Sequence, residues 1–406
     1  MADLDLIVVG AGAAGVFGAI RCAEVNPSAK ILILEKAKRP LEKVKISGGG
    51  RCNVTHGIFD PRELSKFYPR GQRELLGPFN TFMTGDMMGW LGERGVETKI
   101  EDDGRVFPIS DDSQTIIDCF MKELRDRKIE LRTSSGVTTI LPKDDHWEVT
   151  TSDATLTTQK LFFTAGSSPA AWKMLQGLGL PMVDQVPSLF TFNIKSAVID
   201  GLMGLSVPNA EIKIPGTKLN DHGPLLITHW GLSGPAILKT SAWGARDLHE
   251  RNYRFDVIVN WTMDQESTID DWISDQRTRF ATRSVASTVY PEIPKRLWHQ
   301  MVDDAGVHVG NWADQNKRNL EHLKRNIISC TLEVNGKSTF KEEFVTAGGV
   351  ELKAVNFKSM ESKDFPGLYL AGEVLNIDAV TGGFNFQAAW TCSWIAGTSI
   401  ANSLLD

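Results

Sequence analysis

Cysteine is scarce in this chain. Five residues (Cys22, Cys52, Cys119, Cys330, Cys392) are scattered over 406 positions with no C-x-x-C pair. That excludes a zinc ribbon and a disulfide framework, and it predicts a reduced, intracellular protein. No His/Cys set has metal-ligand spacing and no G-x-S-x-G elbow is present, so neither a metal site nor that type of serine hydrolase is expected. Positive charge is not in surplus: 44 Lys and Arg stand against 50 Asp and Glu, a formal net charge of −6. Such a chain lacks the summed field of a general nucleic-acid binder, and no nucleic-acid partner is expected. Long apolar runs are also missing. Leu6 to Val9 follows Met1-Ala-Asp-Leu-Asp, which has no basic n-region, and glycines come at once after it. The run is too short for a signal h-region or a membrane span, so it reads as a buried strand of a cytoplasmic protein that does not engage a membrane. There are no repeats, low-complexity tracts or long linkers.

What is present suits a globular enzyme. Hydrophobic residues make up 42% and charged residues 23%, too apolar for disorder. The length fits one large domain with one or two insertions. Residues 4–35 read as β-α-β: a continuous apolar strand over Leu4 to Val9, an Ala-rich helix over Ala13 to Val25, and a second buried strand over Ile31 to Leu34. A basic, Gly-rich loop runs from Lys36 to Asn53. Residues 70–130 look mainly helical, with Ile116, Ile117, Phe120 and Leu124 at helical spacing, and Arg105-Val-Phe-Pro reads as a strand or loop. Short β-like runs follow and end in Leu161-Phe-Phe-Thr-Ala165-Gly166.

From Pro187 the period changes to two. Phe190, Phe192 and Ile194 alternate, as do Ile212 and Ile214, and Phe255, Val257 and Val259, which predicts an antiparallel barrel or sandwich. Residues 264–325 read as helices. Strand character returns at Ile328, Cys330, Leu332 and Val334, and Asn335-Gly336 is a hairpin signal. The fold class expected is α/β: a Rossmann-like nucleotide domain (1–188 and 345–406) split by a β-barrel-like domain (189–263 and 326–344), which itself carries a helical subdomain (264–325).

Gly10-Ala-Gly12-Ala13-Ala14-Gly15 fits G-x-G-x-x-G. The first glycine permits the tight turn, the second lets backbone approach a pyrophosphate, and the third lets the helix pack on the strand. The helix N-terminus offers free N–H groups and the positive end of its dipole to phosphates. Glu35 follows 20 residues after Gly15. It is placed to accept both ribose hydroxyls of an adenosine and to repel a 2′-phosphate.

The fingerprint alone does not separate NAD from FAD; the distal segments do. Gly367-Leu-Tyr-Leu-Ala-Gly372-Glu373 is a short buried strand ending in Gly-acid, and an acid there can hold the hydroxyls of a ribityl chain. Thr381-Gly382-Gly383-Phe384-Asn385-Phe386-Gln387 then opens a helix, and its N–H groups can face the anionic N1/O2 edge of a reduced flavin. The cofactor expected is therefore FAD, held without a covalent bond.

These segments resemble the BaiN/YhiN-type flavoproteins, also called aminoacetone-oxidase-like FAD enzymes. The most specific match is Ile46-Ser47-Gly48-Gly49-Gly50-Arg51-Cys52-Asn53 with Val54-Thr55. Asp103-Gly-Arg-Val-Phe-Pro-Ile-Ser110, Thr228-His-Trp-Gly-Leu-Ser-Gly-Pro-Ala236, Thr346-Ala-Gly-Gly-Val350 and Met360-Glu-Ser-Lys363 follow in family order. The resemblance covers nearly the whole chain. It implies a two-dinucleotide-motif FAD domain built from both termini, an inserted β-barrel-like domain and a small helical subdomain. Two departures stand out. Leu375-Asn376-Ile377-Asp378-Ala379 replaces Leu-Asp-Val-Asp-Gly, and Phe384-Asn385-Phe386-Gln387 replaces Tyr-Asn-Leu-Gln. Asn376 removes one charge and Phe384 one hydroxyl beside the expected flavin.

The resemblance also places the Ser47–Arg51 loop along the FAD, where successive glycine N–H groups can converge on an anion and Arg51 can add charge. Lys36, Val137, Ala165 and Gly166 complete the expected cofactor contacts. Cys52 reads as a packed thiol rather than a redox one, and His56 as a loop residue rather than a point of covalent flavin attachment. His229, at a strand end beside a Gly-rich helix start, is the candidate catalytic acid or base, although a packed structural histidine is the stronger reading. The pairs Trp261/Trp272 and Trp390/Trp394 read as core aromatics.

No second G-x-G-x-x-G exists, so any NADH or NADPH must dock transiently. The function expected is FAD-dependent redox chemistry on a small molecule: NAD(P)H-driven reduction of an activated C=C or C=O bond, or oxidation of a small amine by O2. A non-catalytic flavin-binding sensor is the rival from another class. Oligomeric state is not legible.

Overall fold

The computed structural model describes residues 2–338 and 345–405. The chain divides into two compact units, Met1–Val186 with Val345–Asp406, and Pro187–Phe344. Residues 339–344, assigned above to the barrel portion, lie outside the described residues, as do 1 and 406.

The first unit is built on five parallel strands: β1 (Leu4–Val9), β2 (Ile31–Leu34), β3 (Glu130–Arg132), β4 (Thr155–Phe163) and β5 (Leu368–Leu370). Their order is β5-β4-β1-β2-β3, with Val8 facing Ile33 on one side and Phe162 on the other. β1 and β2 are apolar because helices and neighbouring strands cover both of their faces. The chain goes from β1 to β2 and β3 in one direction, then returns to place β4 on the other flank of β1. Strand order therefore reverses between β1 and β4, where parallel α/β sheets hold their ligands. An antiparallel hairpin, Val137–Pro142 with Trp147–Thr151, extends from the start of β4.

Helix α1 (Ala13–Val25) follows β1, and α2 (Phe384–Leu405) follows β5. They touch backbone to backbone, since a Cβ on Gly397 would stand 2.4 Å from the Gly18 carbonyl oxygen. Phe17 projects from α1 into a cluster with Trp90, Phe120, Trp390 and Trp394, ring centroids 5.1–6.2 Å apart. A separate small sheet joins Thr55–His56, Arg105–Pro108 and Thr98–Ile100.

The second unit is a closed six-stranded antiparallel barrel, Thr191–Ile194, Gly231–Ser233, Asn220–Ile227, Ser206–Lys213, Arg254–Asn260 and Cys330–Ser338. Closure removes free strand edges. Helices Glu266–Arg279, Lys295–Asp304 and Lys317–Ile328 belong to the same unit, and their Ile269, Leu297, Met301 and Leu323 share one core with barrel residues such as Phe192, Val257 and Leu332.

Three local expectations are corrected. Asn335-Gly336 is not a hairpin. It lies inside the strand Cys330–Ser338, where Asn335 pairs with Arg254, Lys337 pairs with Phe192, and the register shifts beside it. Gly336 has φ +112°, so the left-handed freedom of the dipeptide serves a bulge rather than a turn. The loop from Lys36 to Asn53 contains helical backbone from Glu42, broken at Ser47, Gly48 and Gly49. Ile328 ends the helix Lys317–Ile328 rather than starting a strand, and the next N–H, of Ser329, still bonds back to Arg325 O at 2.9 Å.

Candidate functional site

The sequence-predicted cofactor residues of the first unit converge on the carboxyl ends of its parallel strands. Past β1, Gly10 turns at φ +101°, and a Cβ there would stand 2.9 Å from both Ala165 Cα and the Thr164 carbonyl oxygen. Thr164 supports the turn by donating from its hydroxyl to the carbonyls of Val9 and Gly10, each at 3.0 Å. At Gly15 a Cβ would lie 2.0 Å from the Gly10 oxygen. Gly12 is different: a Cβ there would meet nothing within 4 Å. It caps α1 with no side-chain hydrogen bond, and no acidic residue sits in the first turn. The helix start is thus without a side-chain cap or an acid, and its first-turn N–H groups suit an anion. This is the geometry a pyrophosphate needs, and Gly12 to Ala14 would hold it.

Past β2, Glu35 accepts from Ala11 N at 2.8 Å and Ala37 N at 2.7 Å, one bond on each carboxylate oxygen. A carboxylate has about four acceptor sites, so this residue is oriented by backbone and still able to take ribose hydroxyls. Lys36 is exposed and donates to Ser168 Oγ at 3.2 Å. Val137 begins the neighbouring hairpin, after Ser135 N bonds to Glu35 O.

The Gly-rich loop runs alongside, since Leu41 N donates to Ala11 O at 2.9 Å. Gly48, Gly49 and Gly50 all have positive φ, and a Cβ on Gly49 or Gly50 would meet no atom within 4 Å. Ser47 Oγ donates to Val44 O. Arg51 turns away from the role of a free cation. Its guanidinium donates to Glu101 at 2.6 Å, reaches Asp111 at 3.4 Å, and lies 3.9 Å over the Phe107 ring. Cys52 is fully buried, and burial pushes its thiol up to about 12, which makes it a poor nucleophile. Asn53 donates from its amide to Thr55 O and accepts from Gly383 N, both at 3.0 Å. It thereby ties this loop to the distal Gly-Gly turn.

The distal segments close the same rim. Gly372 (φ +80°) packs on the first turn of α1. Glu373 accepts from Lys43 Nζ at 2.5 Å and Ser167 Oγ at 3.2 Å, beside Gly166 at the end of β4. Gly382 and Gly383 turn under Phe384, whose ring stacks on His56 at 4.6 Å and on Phe67 at 4.5 Å. Burial lowers the basicity of the His56 imidazole, so the ring is neutral near pH 7. Asn385 closes its own loop through Ala379 N and O. Gln387 is fully buried and accepts from Thr55 Oγ1 at 2.5 Å. Asn385 and Gln387 thus brace the turn through protein partners.

His229 belongs to the other unit. It is exposed at the tip linking strands Asn220–Ile227 and Gly231–Ser233, with its ring 4.4 Å from that of Trp230. It is neither packed nor held by a carboxylate that would set it up as an acid or base.

Sequence reasoning missed Lys43 and Ser167, which flank Glu373, and Arg70, which makes a two-pronged hydrogen bond to the buried Asp378. Only the basic character of the 36–53 loop hinted at Lys43, and nothing in the sequence pointed to Arg70. Among the described residues no group of three or more His, Cys, Asp or Glu could hold a metal ion, and no helix is long and apolar enough to cross a membrane.

A family model described as HI0933-like protein Rossmann domain matches residues 4–399. The chain belongs to this HI0933-like family. It is 26% identical to the "Ribosomal RNA dihydrouridine synthase" of Escherichia coli, over 97% of each chain. It is 23% identical to the "3-dehydro-bile acid delta(4,6)-reductase" of Clostridium scindens, over 97% of this chain and 98% of the relative. Among solved structures, 3-ketosteroid delta1-dehydrogenase from Sterolibacterium denitrificans superposes with a TM-score of 0.52 at 11% identity, covering 98% of this chain and 99% of that one. This HI0933-like protein is an FAD-dependent oxidoreductase with a Rossmann-type FAD domain and an inserted barrel. Gly12, Gly49 and Gly50, with open space where a side chain would stand, and Glu35, with acceptor capacity to spare, fit the dinucleotide half of that cofactor.

Proposed function

We propose that this enzyme saturates a C=C bond conjugated to a carbonyl, with NADH or NADPH as the electron donor. The observation that carries the reading is the end-to-end match to relatives whose names describe that one chemistry on unlike substrates. Dihydrouridine is uridine with two hydrogens added across a C=C bond beside a carbonyl, and a 3-oxo delta(4,6) system is a conjugated dienone. When bound, FAD supplies the hydride chemistry. The protein's part is to place it. Gly10 to Gly15 and the start of α1 hold the pyrophosphate, Glu35 the adenosine ribose, and Glu373 the ribityl hydroxyls. The Gly48–Gly50 backbone lines the cofactor's length, with Lys36, Val137, Ala165 and Gly166 flanking it. The Gly382–Gly383 turn, held by Asn53 through the Gly383 N–H, would present backbone to the ring edge. We assign residues 1–188 and 345–406 to the cofactor domain, 189–263 and 326–344 to a barrel domain, and 264–325 to a helical subdomain. The absence of a second fingerprint in the sequence supports a donor that docks and leaves.

The substrate class has two readings. A free small molecule follows from the bile-acid relative. A uridine in ribosomal RNA follows from the relatives of Escherichia coli and Haemophilus influenzae, both 26% identical over 97% of this chain. With those relatives in view, the net charge of −6 no longer supports excluding a nucleic acid. Anaerobic mixing with NADH and NADPH, followed by a 4,6-dien-3-one or by ribosomal RNA lacking dihydrouridine, tests both. Bleaching by a nicotinamide and recovery on adding one substrate is the expected result. Bleaching by aminoacetone but by neither nicotinamide would overturn the reductase reading.

A further inference from the structure

The Lys43 side chain crosses the carboxyl ends of the parallel strands. Its backbone is fixed on both sides. Leu41 N donates to Ala11 O at 2.9 Å, which ties the segment to the turn past β1. Val44 is buried, and Ser113 Oγ donates to Lys45 O at 2.8 Å. From this base the Lys43 ammonium reaches Glu373 Oε2, past β5, at 2.5 Å. Ser167 Oγ, past β4, donates to the same oxygen at 3.2 Å. The ion pair thus bridges the switch point between β1 and β4, where a parallel α/β sheet holds its ligand.

Glu373 stands where two parts of the cofactor meet. Its neighbour Gly372 packs on Ala14 in the first turn of α1, since a Cβ on Gly372 would be 3.0 Å from the Ala14 Cβ. That turn is the one assigned to the pyrophosphate. Glu373 also lines a small cavity with Asn385, Ala388 and Ala389 at the start of α2. The ammonium bonded to Glu373 is therefore held beside the first turn of α1. Gly10 to Gly15 carry no charged side chain of their own. Arg51 is matched by Glu101 and Asp111, and Arg70 by Asp378. Lys43 differs from these arginines: its side chain is 54% exposed, and an ion pair so open to water is easily exchanged for another.

We propose that Lys43 is a cofactor-binding residue that pairs with the diphosphate of FAD, and that its bond to Glu373 is the arrangement of the cofactor-free site. Each member of the pair finds its complement in FAD: the ammonium an anionic diphosphate, the carboxylate the ribityl hydroxyls. Binding exchanges one half-exposed ion pair for charge-assisted hydrogen bonds on both partners. Before binding, Lys43 neutralises a carboxylate that would otherwise repel the incoming diphosphate. The inference rests on FAD lying at these strand ends and does not depend on which substrate is reduced.

Two variants of the full chain test it. Lys43→Met keeps most of the stem and removes the charge, and Lys43→Arg keeps the charge. FAD binding to the apoprotein is followed by flavin fluorescence over a range of KCl concentrations. ADP, which carries a diphosphate without a ribityl chain or ring, serves as competitor. In Lys43→Met the FAD dissociation constant is expected to rise about ten-fold at low salt, the loss of one charge-assisted contact. Its salt dependence should flatten, because a screened attraction has been removed. The ADP concentration needed for displacement, corrected for FAD affinity, should rise by a similar factor. Lys43→Arg should restore most of both affinities, and the urea midpoint of the apoprotein should not move. Unchanged FAD affinity in Lys43→Met would overturn the proposal. So would weaker FAD with unchanged ADP, which would show that Lys43 acts only by orienting Glu373. A lowered urea midpoint in Lys43→Met with no recovery of affinity in Lys43→Arg would likewise assign a structural role. None of these readouts needs turnover, so failure of the reductase reading is distinguishable from failure of this one.

Discussion

Gly372 packs directly on Ala14: a Cβ added to Gly372 would stand 3.0 Å from the Ala14 Cβ. Residues from opposite ends of the sequence thus pack on each other at the candidate cofactor site, and neither can grow without moving the other. Gly372 also has φ +80°, which costs a side-chain-bearing residue about 1–2 kcal/mol. Gly372→Val is expected to loosen FAD by about ten-fold or more and to lower thermal stability, measured by flavin release and by calorimetry. A variant that keeps FAD as tightly as the parent would break the link between the two motifs.

Two glycines of one fingerprint are expected to behave oppositely. A Cβ on Gly15 would overlap the Gly10 carbonyl oxygen at 2.0 Å and crowd Thr164 Oγ1 at 2.5 Å. Gly15→Ala should cost more than about 4 kcal/mol in urea unfolding, the range reserved for severe packing faults. Gly12 has ordinary extended backbone, φ −82° and ψ −171°, and open space around it. Gly12→Ala should leave apoprotein stability unchanged while weakening FAD about ten-fold. Equal destabilisation by both would refute the division.

The Arg70–Asp378 pair is a stability prediction. Asp378 is wholly buried and the Arg70 side chain is 14% exposed, so solvent does little to replace a lost partner. Arg70→Met should destabilise the fold by about 3–5 kcal/mol, the usual cost of stranding one member of a buried ion pair. Urea midpoints at pH 7 measure it, and a change below about 1 kcal/mol would place the pair among surface-like bridges.

Thiol chemistry gives a pH-dependent expectation. Burial pushes Cys22, Cys52, Cys330 and Cys392 up to about 12 from 9.0. Because the folded values lie above the unfolded one, their contribution to stability is complete below pH 9 and is lost as pH rises from about 9 toward 12. At pH 8 the native protein should resist alkylation, while all five cysteines react in denaturant. Rapid labelling of Cys52 in the native state would restore a redox role for it.

The strands and helices around Gly10–Gly15 and Glu35 were legible because continuous apolar runs, a helical period and fixed glycine spacing are local signals. The barrel was legible from alternation at Phe190–Ile194 and Phe255–Val259. Asn335-Gly336 misled because the same left-handed backbone serves turns and bulges, and only the partner strands decide which forms. Arg51 misled for a related reason. Its neighbours in space, Glu101 and Asp111, are 50 and 60 positions away, so the sequence around it shows a free cation where the fold shows a matched one. Arg70 was invisible because its partner is Asp378. Position 229 could be named but not situated, since a strand-end histidine reads alike whether it is buried or, as here, exposed.

The Gly18–Gly397 contact has a consequence for biosynthesis. On the ribosome, α1 emerges early with a bare groove where α2 will lie, and β4 waits with an unpaired edge until β5 follows more than two hundred residues later. Through that interval the nascent chain must complete the barrel unit while its first half stays unfinished. Chaperone occupancy should therefore concentrate on the early β-α-β segment and fall once residues up to Leu405 clear the exit tunnel.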